Sequence, residues 1–220
     1  MVYRRVTDGV ESVVDVAVAE IRQRIRRGDL APGQRLVAAE LSTQLAISGG
    51  PIREALTRLA GEGLIDIQPH RGAIVRTQSQ EDVVEIFQLR EVVEGLAARL
   101  AARAVADGTG DAGAMLDAAR DCHAMAGSMD FFGYAKANQA FHAAIYELAG
   151  SARVTALARQ LSDQIDRLNN LRLGRASVLV QSSEEHDEIA TAIAAGDEEG
   201  AESSMRQHVI GSMKKVIGTA

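Results

Sequence analysis

Four side chains in the second half of the sequence, Asn138, His142, His186 and His208, carry donor atoms suited to a divalent ion. Asn138 and His142 are four residues apart in a stretch of helical periodicity, so both project from one helix face. His186 and His208 come from two later helical stretches. Three imidazoles and one amide oxygen meeting inside a bundle would suit a borderline metal such as zinc, whose bonds to nitrogen are about 2.0–2.1 Å. Spacing alone leaves the other reading open: histidines on separate helices need not meet, and each could be exposed or hydrogen-bonded on its own. Cys122 beside His123 is a further pair of soft donors, read as ordinary helix residues.

An open position on such an ion would attract the carboxylate of a small organic acid, with a buried arginine completing the pocket by bidentate hydrogen bonds. Hydrolysis would need more, namely a carboxylate to activate water, for which Glu185 or Asp187 beside His186 could be nominated. No His-Glu-x-x-His motif, phosphate-binding glycine loop or nucleophile elbow accompanies them, and Gly108-Thr109-Gly110 sits in a plain loop. Ligand sensing is therefore favoured over turnover.

The elements that would position these residues read as helices. Val10, Val13, Val14, Ala17, Ile21 and Ile25 recur at helical spacing, and Gly28 to Gly33 stops that helix. A short helix over about Ala38–Leu45, the turn Ala46-Ile47-Ser48 and a helix over about Gly50–Glu62 form a helix-turn-helix. Gly63 then ends the helix, and Leu64–Gln68 and Ala73–Val75 read as strands around Pro69-His70-Arg71-Gly72. Three helices closed by a small hairpin are the winged form of the motif, whose second short helix enters the DNA major groove. Ser79 opens a long amphipathic helix to about Ala106, followed by helices near Ala112–Ala126, Asp130–Ala149, Ala152–Leu173, Ser182–Ala195 and from Gly196-Asp197 to Val216. The expected fold is mainly α: a winged helix-turn-helix with a β-hairpin over residues 1–76, then an all-helical bundle over 77–220.

Composition agrees. The 220 residues are 46% hydrophobic but only 3% aromatic, with no Trp, which favours helices packed through small and aliphatic side chains. The single Cys122 excludes an intramolecular disulfide, and no basic-then-apolar leader or long apolar run is present, so a soluble cytoplasmic protein is expected, with no membrane partner. The net charge of -6 is uneven: residues 1–76 hold eleven Lys+Arg against nine Asp+Glu, the rest thirteen against twenty-one. Only the N-terminal part can attract a polyanion.

On the recognition helix, Arg53 could read a guanine edge or bind phosphate, while Arg58 lies further along and points outward or packs. Arg35 could contact phosphate or brace the short helix that follows it. The hairpin tip, His70, Arg71 and Gly72, is suited to groove or backbone contact, Gly72 allowing close approach.

Leu30-Ala31-Pro32-Gly33-Gln34-Arg35-Leu36, Pro51-Ile52-Arg53-Glu54-Ala55-Leu56-Thr57-Arg58-Leu59, Glu62-Gly63-Leu64-Ile65 and Pro69-His70-Arg71-Gly72-Ala73 together resemble the winged helix-turn-helix of GntR-type bacterial transcription regulators. The remainder resembles the helical effector domain of the FadR-like, or FCD, branch. Leu89-Arg90 with Glu94, Asn138-x-x-Phe141-His142, Glu185-His186 with Ala192-Ile193 and Gly196-Asp197, and finally His208 carry that likeness. The resemblance implies a homodimeric repressor of double-stranded operator DNA. It also implies a metal site built from Asn138, His142, His186 and His208, holding zinc or another transition ion such as nickel, and a small carboxylate metabolite as effector. Arg90 matches an effector-facing arginine of the family; its alternative is an ion pair with Glu94 one turn on. Two positions depart from the family. Asn138 stands where it usually has Asp, removing one negative charge from the ligand set. Gly49 stands where relatives carry an arginine against DNA in Ser-Arg-Thr-Pro, so the mouth of the recognition helix, Ser48-Gly49-Gly50, offers only backbone N–H groups to a phosphate. Two other functions stay open at this point: a metal-dependent hydrolase that retains a DNA-binding-like head, and a binding module whose head no longer reads DNA specifically.

Overall fold

The computed structural model describes residues 12–68, 72–172 and 176–218, apart from the side chains of 166–176. Val10, the wing-tip pair His70-Arg71, Arg175 and the side chain of Arg172 fall outside the described residues. The chain divides into two compact units between Thr77 and Gln78.

In the first unit α1 (Val13–Arg27) starts where Ser12 and Asp15 form a capping box, and it ends at Gly28 in the left-handed conformation. α2 (Ala38–Leu45) and α3 (Gly49–Gly61) are joined through Ala46, which adopts a positive φ of 54°. That strain is held by the Ser42 hydroxyl, which donates to the Ile47 carbonyl across the turn. Ile21, Leu41, Ile52, Leu56, Leu59 and Leu64 are buried together and fix the three helices as a unit. The expected hairpin is present as β2 (Ile65–Gln68) and β3 (Gly72–Val75), with Ile65 opposite Val75 and Gln68 opposite Gly72. It gains a third strand, β1 (Arg35–Leu36), on the other edge of β3, giving the antiparallel order β1-β3-β2. Two residues are too few for any alternation to show in the sequence.

The second unit is helical throughout its described residues: α4 (Gln80–Ala106), α5 (Gly113–Ser128), α6 (Phe131–Leu148), α7 (Ala152–Arg172), α8 (Ala176–Ala194) and α9 (Glu198–Ile217). A second capping box, Ser79 with Asp82, starts α4. Along α4 the side chains of Ala97, Ala98, Ala101 and Ala102 are fully buried, which lets α6, α8 and α9 approach its axis closely. α8 begins at Ala176 rather than Ser182, because Leu179 adds a further buried turn that the polar Gln181-Ser182-Ser183 run conceals. No described helix is long and apolar enough to cross a membrane.

Candidate functional site

Three helices deliver one histidine each to the centre of the bundle: His142 from α6, His186 from α8 and His208 from α9. All three are buried, and one ring nitrogen from each can be chosen so that all lie within 4.8 Å of one another. Their ring centroids are 4.8–5.5 Å apart. His186 is completely buried, packed against the Phe141 ring at 4.4 Å, and neither of its ring nitrogens has a hydrogen-bond partner. A buried polar atom left unsatisfied costs about 1–3 kcal/mol, so this residue is out of place in an ordinary core. Burial, then the neighbouring His208, His142 and Lys215, push its pKa well below the ordinary histidine value, which leaves the neutral imidazole that a metal requires.

Carboxylates back the other two histidines. Glu185 Oε2 lies 2.7 Å from His208 Nδ1, and its other oxygen is 3.3 Å from Lys215 Nζ. Burial would raise the Glu185 carboxyl, but His208 and Lys215 outweigh it and hold it below its usual range. On α4, Glu94 is fully buried with Oε2 3.0 Å from His142 Nδ1, a contact too far off line to be a well-formed hydrogen bond. Arg90 Nε donates to Glu94 Oε1 at 2.6 Å, and its guanidinium lies 5.0 Å from the Phe87 ring centroid. Burial would push the Glu94 carboxyl up, yet the charge of Arg90 and the contacts from His142 keep it ionised, well below the usual carboxylate range.

Asn138 is half-buried on α6, one turn before His142 and on the same helix face. Arg90 is buried and engaged with Glu94, the ion pair its spacing allows. Of the two carboxylates flanking His186, Glu185 turns to His208, while Asp187 lies 3.1 Å from His123 at the surface. Cys122 is fully buried, and burial above all pushes its thiol up to about 12. Neither Cys122 nor His123 belongs to the cluster.

In the head, Ser48 occupies the N-cap of α3 but its side chain makes no cap hydrogen bond. The exposed Arg53 folds back over the helix mouth: a Cβ built on Gly49 would lie 3.6 Å from Arg53 Nη2. Arg58 is committed elsewhere, 2.8 Å from both Asp15 and Glu54, and braces α3 to α1. Arg35 is exposed on β1, beside Gly72 at the start of β3, where φ is +86° and a Cβ would meet the Leu36 carbonyl at 3.6 Å.

The sequence matches the FCD domain over residues 85–211 and "Bacterial regulatory proteins, gntR family" over residues 14–75. The chain belongs to the GntR family. It is 30% identical over 204 residues to the "Probable D-xylose utilization operon transcriptional repressor" of Paenarthrobacter nicotinovorans, covering 92% of this chain and 86% of that one. It is 29% identical over 198 residues to the HTH-type transcriptional repressor GlaR of Escherichia coli (strain K12), covering 86% and 89%. The fold is that of E. coli McbR/YncC, with a TM-score of 0.82 at 20% identity over 96% of this chain and 99% of that one. This GntR protein is thus a DNA-binding transcription regulator and not an enzyme, which removes the hydrolase alternative. The two carboxylates behind His142 and His208 are what sequence reasoning missed. Glu185 is adjacent to His186 in sequence, but neighbours on a helix point about 100° apart, so its partner had to be on another helix.

Proposed function

We propose that this GntR regulator is a homodimeric, cytoplasmic repressor whose helical domain holds a divalent ion and responds to a small carboxylate metabolite. One observation carries the reading: His186 is fully buried with two partnerless ring nitrogens beside His142 and His208. The donor set fits zinc. His208 already carries a carboxylate at Nδ1, His142 has one 3.0 Å from its Nδ1, and neither ring nitrogen of His186 has a partner. His142, His186 and His208 would hold the ion, and Asn138 would complete the set as a neutral ligand. Bound there, the ion would supply a Lewis-acidic position for an effector carboxylate. Arg90 remains the candidate for the metabolite's other end, which requires it to exchange or share Glu94.

On DNA, Arg53 would be the base-reading or phosphate-binding side chain of α3, with the backbone of Ser48, Gly49 and Gly50 facing a phosphate. Arg35 and Gly72 would serve the wing, together with His70 and Arg71. Dimerisation is supported by an exposed apolar stripe on α4, where Leu89, Val92 and Leu96 are 56%, 59% and 41% exposed. A second copy would cover it and match the two-fold symmetry of operator half-sites. Both relatives named above are repressors by their printed names. An effector releases DNA only by favouring one arrangement of the heads over another.

The test is elemental analysis of protein purified without chelator, followed by a salt series of binding to its own upstream region and to random DNA. One ion per chain, and tighter binding to the upstream region, are expected. Absence of any metal would remove the metal centre, and equal affinity for both DNAs would remove the specific repressor, leaving a module that binds DNA without reading it.

A further inference from the structure

The side chains around the cluster allow a step beyond which residues bind. A histidine can offer a metal either ring nitrogen, and which one is free depends on where the other sends its hydrogen. At His208 this is settled by Glu185, a carboxylate 2.7 Å from Nδ1 that can only accept, so Nδ1 must carry the hydrogen and Nε2 is left with its lone pair. At His142 the same ring nitrogen, Nδ1, lies 3.0 Å from Glu94 Oε2, close but not yet in line for a hydrogen bond. Both carboxylates are held by a cation on their far side, Glu185 by Lys215 and Glu94 by Arg90, and so are fixed in place. Glu94 was as eligible a ligand as any histidine, yet no oxygen of it or of Glu185 joins the group of converging atoms. His186 has no such backing at either nitrogen.

We infer that Glu94 and Glu185 are positioning residues of the centre: Glu185 takes the Nδ1 hydrogen of His208 so that this ring presents Nε2 to the ion, and Glu94, 3.0 Å from His142 Nδ1, would do the same for His142 once a bound ion draws that ring into line. This rests on the cluster being a metal site and assigns work to two residues that do not touch the ion. It also changes the role of Glu185: the carboxylate that its place in the sequence suggested for activating water orients a ligand instead. The arrangement bears on Asn138. A neutral amide in the ligand set leaves the imidazoles to do more of the binding, and a carboxylate behind an imidazole raises its basicity.

Two readouts on the full-length protein test this. In metal-free protein, long-range ¹H–¹⁵N correlation of labelled histidines should show His208 with its hydrogen on Nδ1. Glu185→Gln, which keeps an accepting oxygen, should retain that form; Glu185→Leu should lose it. Zinc affinity, measured against a chromophoric chelator, should fall about 10–100-fold in Glu185→Leu and less in Glu185→Gln. At Glu94, removing one charge would strand the other, so the paired variants Arg90→Met/Glu94→Leu and Arg90→Met/Glu94→Gln are compared, with the larger loss expected in the first. A parent that binds zinc while Glu185→Leu binds within twofold of it overturns the inference alone. So does a loss of affinity without any change of tautomer, which marks a merely structural role. A parent with no zinc affinity overturns the metal reading and the inference together.

Discussion

Replacing His186 with leucine should stabilise the metal-free protein and destabilise the metal-loaded one relative to the parent. The first half follows from burial: His186 is completely enclosed and neither ring nitrogen is satisfied. Each unsatisfied buried polar atom costs about 1–3 kcal/mol, and a branched side chain in a site shaped for a flat ring gives back about 1–3 kcal/mol. Two such nitrogens against one packing loss leave a net gain centred on about 2 kcal/mol, or a rise in Tm of about 4–8 °C for a chain of this size. The second half follows from mass action. Free zinc at about 1,000 times Kd stabilises the parent by about 4.1 kcal/mol, more than the substitution gains, and the variant has lost a ligand. The order of the two melting curves should therefore reverse when zinc is added. The assay is thermal unfolding of chelator-stripped protein followed by far-ultraviolet circular dichroism, with and without zinc, above the pH range where histidines protonate. A stripped variant less stable than the parent by more than about 1 kcal/mol would refute the reasoning, because it would mean that the imidazole is a contented core residue. A parent whose Tm ignores zinc would refute it equally.

Arg53→Ala should lower the slope of log affinity against log salt by about 0.9, the signature of one lost phosphate contact. Arg58→Ala should leave that slope unchanged, because its guanidinium is held by Asp15 and Glu54. Gly49→Arg should tighten DNA binding and steepen the slope, since a Cβ there makes only ordinary contact with Arg53 at 3.6 Å; anisotropy titrations showing no gain would count against this docking of α3. The stripped protein should lose stability as pH falls below about 6.5, where the unfolded chain takes up protons that native His186, with its lowered pKa, refuses. The loss should approach about 1.4 kcal/mol per pH unit per histidine and be shallower in His186→Leu, as urea midpoints across that range would report.

The head was legible because its local signals agree: periodicity in α1 and α3, Gly28 and Gly63 as stops, and two short apolar runs on either side of Pro69-His70-Arg71-Gly72 all point to one fold. β1 was not, since two residues carry no period, and it exists only because β3 offers it an edge. In the bundle, the three histidines could be named but not gathered, because convergence is a property of how α6, α8 and α9 pack and not of any one of them. Glu94 shows the limit most clearly. Its spacing from Arg90 allowed an ion pair as one of two readings of that arginine, and the pair is there, yet nothing in the sequence turns its second oxygen to His142.

The bundle core explains why such a polar group is tolerable. Much of what α4 buries is alanine, so the helices lie close but gain little apolar area from each contact, and specificity of packing has to come from elsewhere. Glu94 with Arg90 and His142, and Glu185 with His208 and Lys215, tie α4 to α6 and α8 to α9 at fixed heights. Buried ionic groups of this kind are weak sources of stability but exact about register. Glu94 and Arg90 sit on α4, the helix that follows β3 in the chain after Arg76–Ser79. On the proposed reading, an effector that changes how Arg90 and Glu94 share their charges would act on the helix that follows the DNA-binding unit in the chain. Such an effector would have a route to differential affinity without touching the head.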